Sequence, residues 1–374
     1  MKIILTGATG VLGSHIMFEI LELFINQEIN GKLFLITRNK GKISAISRIN
    51  KLLTSHFTPK IILEKGLEKL HHYLEIIDTD LSTIHENITE KIQDAYFIHS
   101  AGFVNLSTDE DQKEKIFNEN ANITKSIFNT FYPFIKKFIY VSTAYSTGVR
   151  NGIINNNFHN LNFIPEHRNA YEHAKYHSEN FIIEQAKKHN LPYQILRPSV
   201  IGGKMLSTEN NFFIPKYMVF YLLAKFFHFT AQRKNNQENV RFLVNHETGL
   251  NIIPVDYVAK VIVKTFARND IDQLNIVHNQ SFNIAKGLQI IMNEVGYQNF
   301  TLIPETSNFD YQNTIEKLYY ESIGKHLKPY FTTSANEYDT TLLQSILEIP
   351  KLDSQALTQM IRYAKIHNFK DINV

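Results

Sequence analysis

Short, apolar, β-branched runs recur along the chain at residues 3–5, 33–36, 73–77, 96–99, 138–141 and 193–196, with helix-length segments between them. Runs that are apolar at consecutive positions belong to strands covered on both faces, and their alternation with helices predicts a parallel sheet. The pattern reads as a doubly wound α/β core over residues 1–203. After Gly203 the rhythm stops: residues 204–250 are aromatic, Asn-rich and charged, 251–267 run from a strand into a helix, and a short strand-like piece follows at 274–277. Helical patterns close the chain. A smaller, discontinuous C-terminal substrate lobe is therefore expected from 204–250 and 280–374, with 251–279 rejoining the core. The acidic stretch 109–114 and the Asn-rich stretch 151–162 read as loops, and no internal repeat is present.

In such a sheet ligands bind outside the carboxyl ends of the strands, where Gly7, Arg38, Asp80, Ala101, Thr143 and Pro198 fall. The first run ends in Gly7, Gly10 and Gly13 and passes directly into an apolar periodic segment. That order predicts strand, tight turn and helix. Glycine allows the turn and a close approach of ligand, and the helix N-terminus offers N–H groups and a partial positive charge to a pyrophosphate. The spacing is G-x-x-G-x-x-G, not the usual G-x-G-x-x-G. The loop from Gly7 through Thr9, Gly10, Val11 and Leu12 to Gly13 is read as the dinucleotide site of a Rossmann sheet. An acidic residue at the end of the second strand would accept the ribose 2′-OH of NAD. Thr37 and Arg38 instead offer a hydroxyl and a guanidinium suited to a 2′-phosphate, so NADP(H) is the expected cofactor.

Composition narrows the classes. In 374 residues, Lys+Arg 39 against Asp+Glu 36 leaves no basic stripe, which argues against a nucleic-acid partner. The absence of cysteine excludes disulfides, thiolate metal sites and a Cys nucleophile. Lys2 precedes apolar residues, but Gly7, Gly10 and Gly13 interrupt any signal-peptide core, so a cytoplasmic location is expected. Residues 212–229 are the most apolar segment. Lys216, Lys225 and His228 break them well short of the roughly 20 apolar residues a span needs. A buried or amphipathic helix is expected there, and membrane association is not.

Tyr171 and Lys175 stand at i and i+4, on one helix face, so an ammonium can sit beside a phenol and lower its pKa from about 10 toward the working range. This makes Tyr171 a candidate general acid. It follows the strand that ends in residues 141–145, VSTAY. His173 and His177 share the same spacing, but no carboxylate base stands between them, so they are expected to be surface or subunit-contact residues and no metal site is expected. His99 is expected to pack beside the crevice, and Asp256 to cap a helix.

These segments together resemble the extended short-chain dehydrogenase/reductase superfamily. The resemblance rests on TGATGVLG, Asp80-Leu81, Ser100-Ala101-Gly102, Asn120, Ser142-Thr143, Tyr171 with Lys175, and Arg197-Pro198-Ser199. It covers most of the chain and weakens after about Phe300. Within the superfamily the chain is most similar to fatty acyl-CoA reductases and the thioester reductase domains of carboxylic acid reductases, through VSTAY, YEHAKYHSE, RPSVIGG and NIIPVDYVA. It departs from their pattern at Thr79, Ile123 and Tyr176, where Gly, Gly and Trp are usual. The resemblance implies that Thr143 hydrogen-bonds the substrate carbonyl oxygen, with Ser142 as the fallback, that Lys175 tunes Tyr171 and holds the ribose, and that Asn120 carries a proton-relay water. It also implies that Asp80, Leu81, Ser100, Ala101, Gly102, Pro198, Ser199 and Val200 contact the cofactor. The implied reaction is NADPH-dependent reduction of an apolar acyl thioester, presented on CoA or a carrier protein, or of an aldehyde, by a monomer or homodimer. The rival readings are a nucleotide-sugar epimerase or dehydratase, a hydroxysteroid-type dehydrogenase, and an NADP-binding scaffold or redox sensor without turnover.

Overall fold

The computed structural model describes residues 1–81, 91–160, 165–209, 211–233 and 238–372. Seven parallel strands form one sheet: β1 (Lys2–Thr6), β2 (Lys32–Thr37), β3 (Leu74–Asp78), β4 (Ala95–His99), β5 (Ile135–Val141), β6 (Tyr193–Pro198) and β7 (Gln273–Ile276). Their order is β7-β6-β5-β4-β1-β2-β3. Each predicted run lies in one of these strands, except that Tyr73 ends the preceding helix, Leu67–Tyr73. The chain builds outward from β1 to β3, then crosses back to lay β4 on the other side of β1. That reversal opens a crevice at the carboxyl ends of β1 and β4.

The helices that cover the sheet or build the lobe include α1 (Val11–Ile25), α2 (Ala170–Lys188), α3 (Phe220–Ala231), α4 (Val255–Thr265), α5 (Ile284–Val295), α6 (Lys325–Thr332) and α7 (Ser354–Ile366). Ile3 and Leu5 of β1 enter the core that α1 and α4 cover, while Ile4 enters the opposite core with Phe97, Phe138, Phe128 and Ile182. Alternate residues of one strand are therefore both buried, which is why the strands read as continuous apolar runs. A separate core is built by α3, α5, α6 and α7 around Phe227, Phe242, Met292 and Met360. Residues 252–254 pair in parallel with 200–202, tying this lobe to the sheet's rim. Leu343, on the short helix Thr341–Ile346, is fully buried in the main core.

Three local expectations are corrected. The acidic stretch 109–114 is not a loop: Asp109 flanks and Glu110–Phe117 forms a helix, where acidic residues favour the positive N-terminal end and Glu110 pairs with Lys113. Of residues 212–229 only those from Phe220 are helical, because Pro215 and the left-handed backbone of Phe212 (φ 63°) and Val219 (φ 52°) keep the preceding stretch irregular. Asp256 is not the cap of α4, whose N-cap is Pro254; it lies inside the first turn. The Asn-rich stretch 151–162 carries a short strand, Ile153–Ile154, and a single turn, Phe158–Asn160, and its residues 161 and 162 lie outside the described residues. Among the described residues no helix is long and apolar enough to cross a membrane.

Candidate active site

The glycine loop is shaped by contacts that no side chain could share. Gly7 turns with φ +76°, and a Cβ there would lie 2.7 Å from the Ala101 nitrogen at the end of β4. At Gly13 a Cβ would lie 2.0 Å from the Gly7 carbonyl oxygen. Both glycines thus hold the start of α1 against the crevice. Gly10 is the N-cap of α1 and supplies no side-chain cap, so the first turn's N–H groups face the crevice without one.

A cavity of about 330 Å³ opens beside this loop. Of the expected residues, Gly10, Val11, Leu12, Gly13, Ser100, Gly102, Thr143, Tyr171, Lys175, Pro198, Ser199 and Val200 line it. Ser142 lines it too, but its hydroxyl donates to the buried Glu179 carboxylate. Thr143 is placed differently. Its Oγ1 accepts a 3.3 Å bond from the Tyr145 N–H and retains its own proton to donate into the cavity. Gly7, Thr9, Arg38, Asp80, Leu81, Ala101 and Asn120 are outside the lining. Asn120 is 2% exposed and its amide is committed to backbone: it donates to Phe103 O and Ile116 O and accepts from Phe103 N–H. It lies on a π-helical turn, Asn118–Asn122, and positions residues 102–103.

Tyr171 and Lys175 lie on the buried face of α2, whose N-cap Asn169 accepts from the Glu172 N–H at 3.0 Å. Lys175 Nζ donates to Val141 O (2.8 Å) and to Tyr140 Oη (3.1 Å). Tyr140 escaped the sequence reading because it looks like one more apolar strand residue. Burial raises the Tyr171 pKa and Lys175 pulls it back. The net direction is upward, which corrects the expected lowering: the phenol is 8% exposed, and loss of hydration disfavours the phenolate more than one ammonium favours it. Burial also lowers the Lys175 pKa.

Two buried carboxylates on α2 brace the site. Glu179 accepts from Ser142, Ser146, His159 and Arg197. Burial pushes its carboxyl up, yet Arg197, His159 and Ser142 outweigh that and hold it at about 2. Glu172 accepts 2.7 Å from Tyr330 Oη, on α6, and binds Arg168, so the lobe is fastened next to Tyr171. Both carboxylates could have been suspected from their spacing, since 171, 172, 175, 179, 182 and 186 trace one helix face.

At the end of β2, Arg38 Nη1 pairs with Asp80 at 2.6 Å. A second guanidinium, Arg48, went unnoticed in the sequence: it is 8% exposed and donates to Arg38 O (2.7 Å) and to Thr9 Oγ1 (2.8 Å), linking β2 to the glycine loop. Elsewhere His99 is held between Thr6 and Thr124 hydroxyls, and burial lowers its pKa to about 3. Asp256 accepts from the N–H groups of residues 205–207. His173 and His177 touch each other at 3.0 Å, and among the described residues no group of three or more metal-ligating side chains is assembled.

The residues present fit a dinucleotide on two observations: the glycine cradle, which a Cβ would fill, and Ser199 Oγ, buried at the cavity with no hydrogen-bond partner among the described residues.

Residues 5–262 match an NAD-binding family described as "Male sterility protein". The dTDP-D-glucose 4,6-dehydratase of Dictyostelium discoideum is 29% identical over 227 residues, 58% of this chain and 47% of that protein, so the chain spans about half the length of that relative. The terminal R domain from the myxalamid PKS-NRPS biosynthetic pathway superposes with a TM-score of 0.72 at 19% identity, covering 99% of this chain and 91% of that one. The UDP-glucuronic acid 4-epimerase of Bacillus cereus, solved with UDP-glucuronic acid and NAD, superposes with a TM-score of 0.65 at 17% identity, covering 98% and 100%. These two likenesses establish the shared fold. With more than half of its length matched, the chain belongs to the male sterility protein family, within the NAD(P)-dependent extended short-chain dehydrogenases/reductases.

Proposed function

We propose that the protein reduces an apolar acyl thioester or aldehyde with NADPH. The observation that carries this reading is the wall of the cavity: lining it together with Thr143 and Tyr171 are Val104, Leu106, Ile201, Ile214, Met218 and Val219. Among the described residues the only cations lining it are Lys175, which is committed inside, and Lys216, which is exposed. A sugar diphosphate calls for several basic groups, and an acyl chain calls for none.

When bound, the nicotinamide supplies the hydride. Thr143 Oγ1–H is placed to donate to the carbonyl oxygen where negative charge develops. Tyr171 Oη carries its proton at neutral pH, because burial keeps the phenol un-ionised, and can pass it to the new alkoxide. Lys175, anchored on Val141 O, stands beside that phenol; burial lowers its own pKa, and when protonated its ammonium favours the phenolate. The glycine cradle would take the pyrophosphate, and Thr37, Arg38 and Arg48 the 2′-phosphate, with two guanidiniums set against the single carboxylate of Asp80. The resemblance to a terminal reductase domain supports the acyl reading, and the dehydratase relative supports the nucleotide-sugar alternative. The test offers NADPH with acyl thioesters, aldehydes and nucleotide sugars while nicotinamide absorbance is followed. Loss of absorbance is expected with the first two classes; turnover of nucleotide sugars alone would contradict the proposal.

A further inference from the structure

Behind the reaction cavity lies a second one of about 30 Å³, walled by apolar side chains of α3, α5, α6 and α7, among them Leu223, Ile291, Leu327 and Phe331. The two cavities share Val219 and Tyr330 as wall residues, so these two stand between them. Tyr330 turns its hydroxyl away, donating to Glu172 and accepting from Asn169, and leaves its ring to the cavities. The polar atoms of Asn283, also in the wall, are committed to His246 O and the Lys286 N–H. The wall offers a water almost no polar partner, and an apolar cavity favours hydrocarbon over water. Val219 adds a second, independent mark: a β-branched residue with φ 52° is strained, and that strain sits at the junction of the two cavities.

We infer that this second cavity receives the tip of the acyl chain whose carbonyl carbon is held between Thr143 and Tyr171, the rest of the chain lying in the larger cavity; the inference rests on the acyl-reductase reading above. Gly287 of α5 then limits chain length. A Cβ on it would meet Phe282 at 3.5 Å and Leu357 at 3.9 Å, ordinary contacts, so alanine fits without strain and a larger side chain occupies cavity space.

The experiment measures kcat/KM across a series of acyl thioesters of increasing length in wild type, Gly287→Ala and Gly287→Leu. Wild type is expected to gain about fourfold per added methylene until the cavity is filled. The variants should reach that limit at shorter chains, leucine before alanine, lowering the longest substrate relative to the shortest by about tenfold or more. The same limit and slope in all three proteins would overturn the inference while leaving the reductase reading standing. No reduction of any thioester or aldehyde would remove both. Should Gly287→Leu fail to fold, the rise in Tm produced by n-alkanols of increasing length in wild type and Gly287→Ala gives an independent reading. An earlier plateau in the alanine variant supports the inference, and identical plateaus overturn it.

Discussion

At the scale of single residues, Tyr171 shows how burial and charge compete. Buried, its phenol is pushed above the ordinary value of about 10 even though Lys175 draws it down, so the proton remains in place through neutral pH. Tyr171→Phe should therefore lower kcat by about 10²-fold or more with NADPH binding nearly intact. In the wild type the phenol itself should cause no fall in kcat/KM below its ordinary pKa of about 10, and a fall at lower pH would belong to Lys175, whose pKa burial lowers. Wild-type-like turnover in the variant speaks against Tyr171 as the acid. The nucleotide end offers a second test. Arg38 already pairs with Asp80, whereas among the described residues Arg48 binds neutral acceptors, Arg38 O and Thr9 Oγ1, so Arg48→Ala is expected to weaken NADPH binding by about 1.5–3 kcal/mol and Arg38→Ala by less. Titration with NADPH and NADH separates the cases, since equal losses for both cofactors would mean that Arg48 only holds the loop. Tyr171 and Lys175 were legible in the sequence because their spacing has a helical meaning. Arg48 was not: its partners, Arg38 O and Thr9 Oγ1, are ten and 39 positions away and meet only in the fold.

At the scale of elements, α2 joins the face that carries Tyr171 and Lys175 to two buried ionic clusters. Glu179 is anchored by Arg197 from β6 and by Ser142 and Ser146 beside β5, so one carboxylate fixes the helix, two strand ends and the turn that presents Thr143. Glu179→Gln leaves the Arg197 charge buried without its counter-ion and should cost about 3–5 kcal/mol, read as a lower denaturant midpoint. Its acid dependence follows from the depressed pKa. A folded value of about 2 against an ordinary 4.5 means that the stabilisation is full above about pH 4.5 and is lost as pH falls from there toward 2. Comparing acid unfolding of wild type and Glu179→Gln checks this, because the variant should lack that part of the slope. The strands of the sheet were visible as consecutive apolar runs, since both faces of the sheet are covered. The helix Glu110–Phe117 was missed because its buried side rests on Ile116 alone, which leaves no apolar periodicity to read.

At the scale of the whole molecule, a nucleotide-binding sheet and an apolar helical lobe meet over one cavity, and the lobe is latched to α2 through Tyr330 and Glu172. The sheet could be derived from pattern and glycine spacing. The lobe's placement could not, because segments around residues 220, 290, 330 and 360 come together only through long-range packing. The central claim is that this meeting point transfers a hydride to an acyl carbonyl. Incubation with NADPH deuterated at nicotinamide C4 and a medium-chain acyl thioester, followed by mass analysis, addresses it directly. Deuterium is expected on the former carbonyl carbon of the aldehyde or alcohol product. Cofactor recovered unchanged in the presence of thioesters and aldehydes, while a nucleotide sugar is converted, would contradict it.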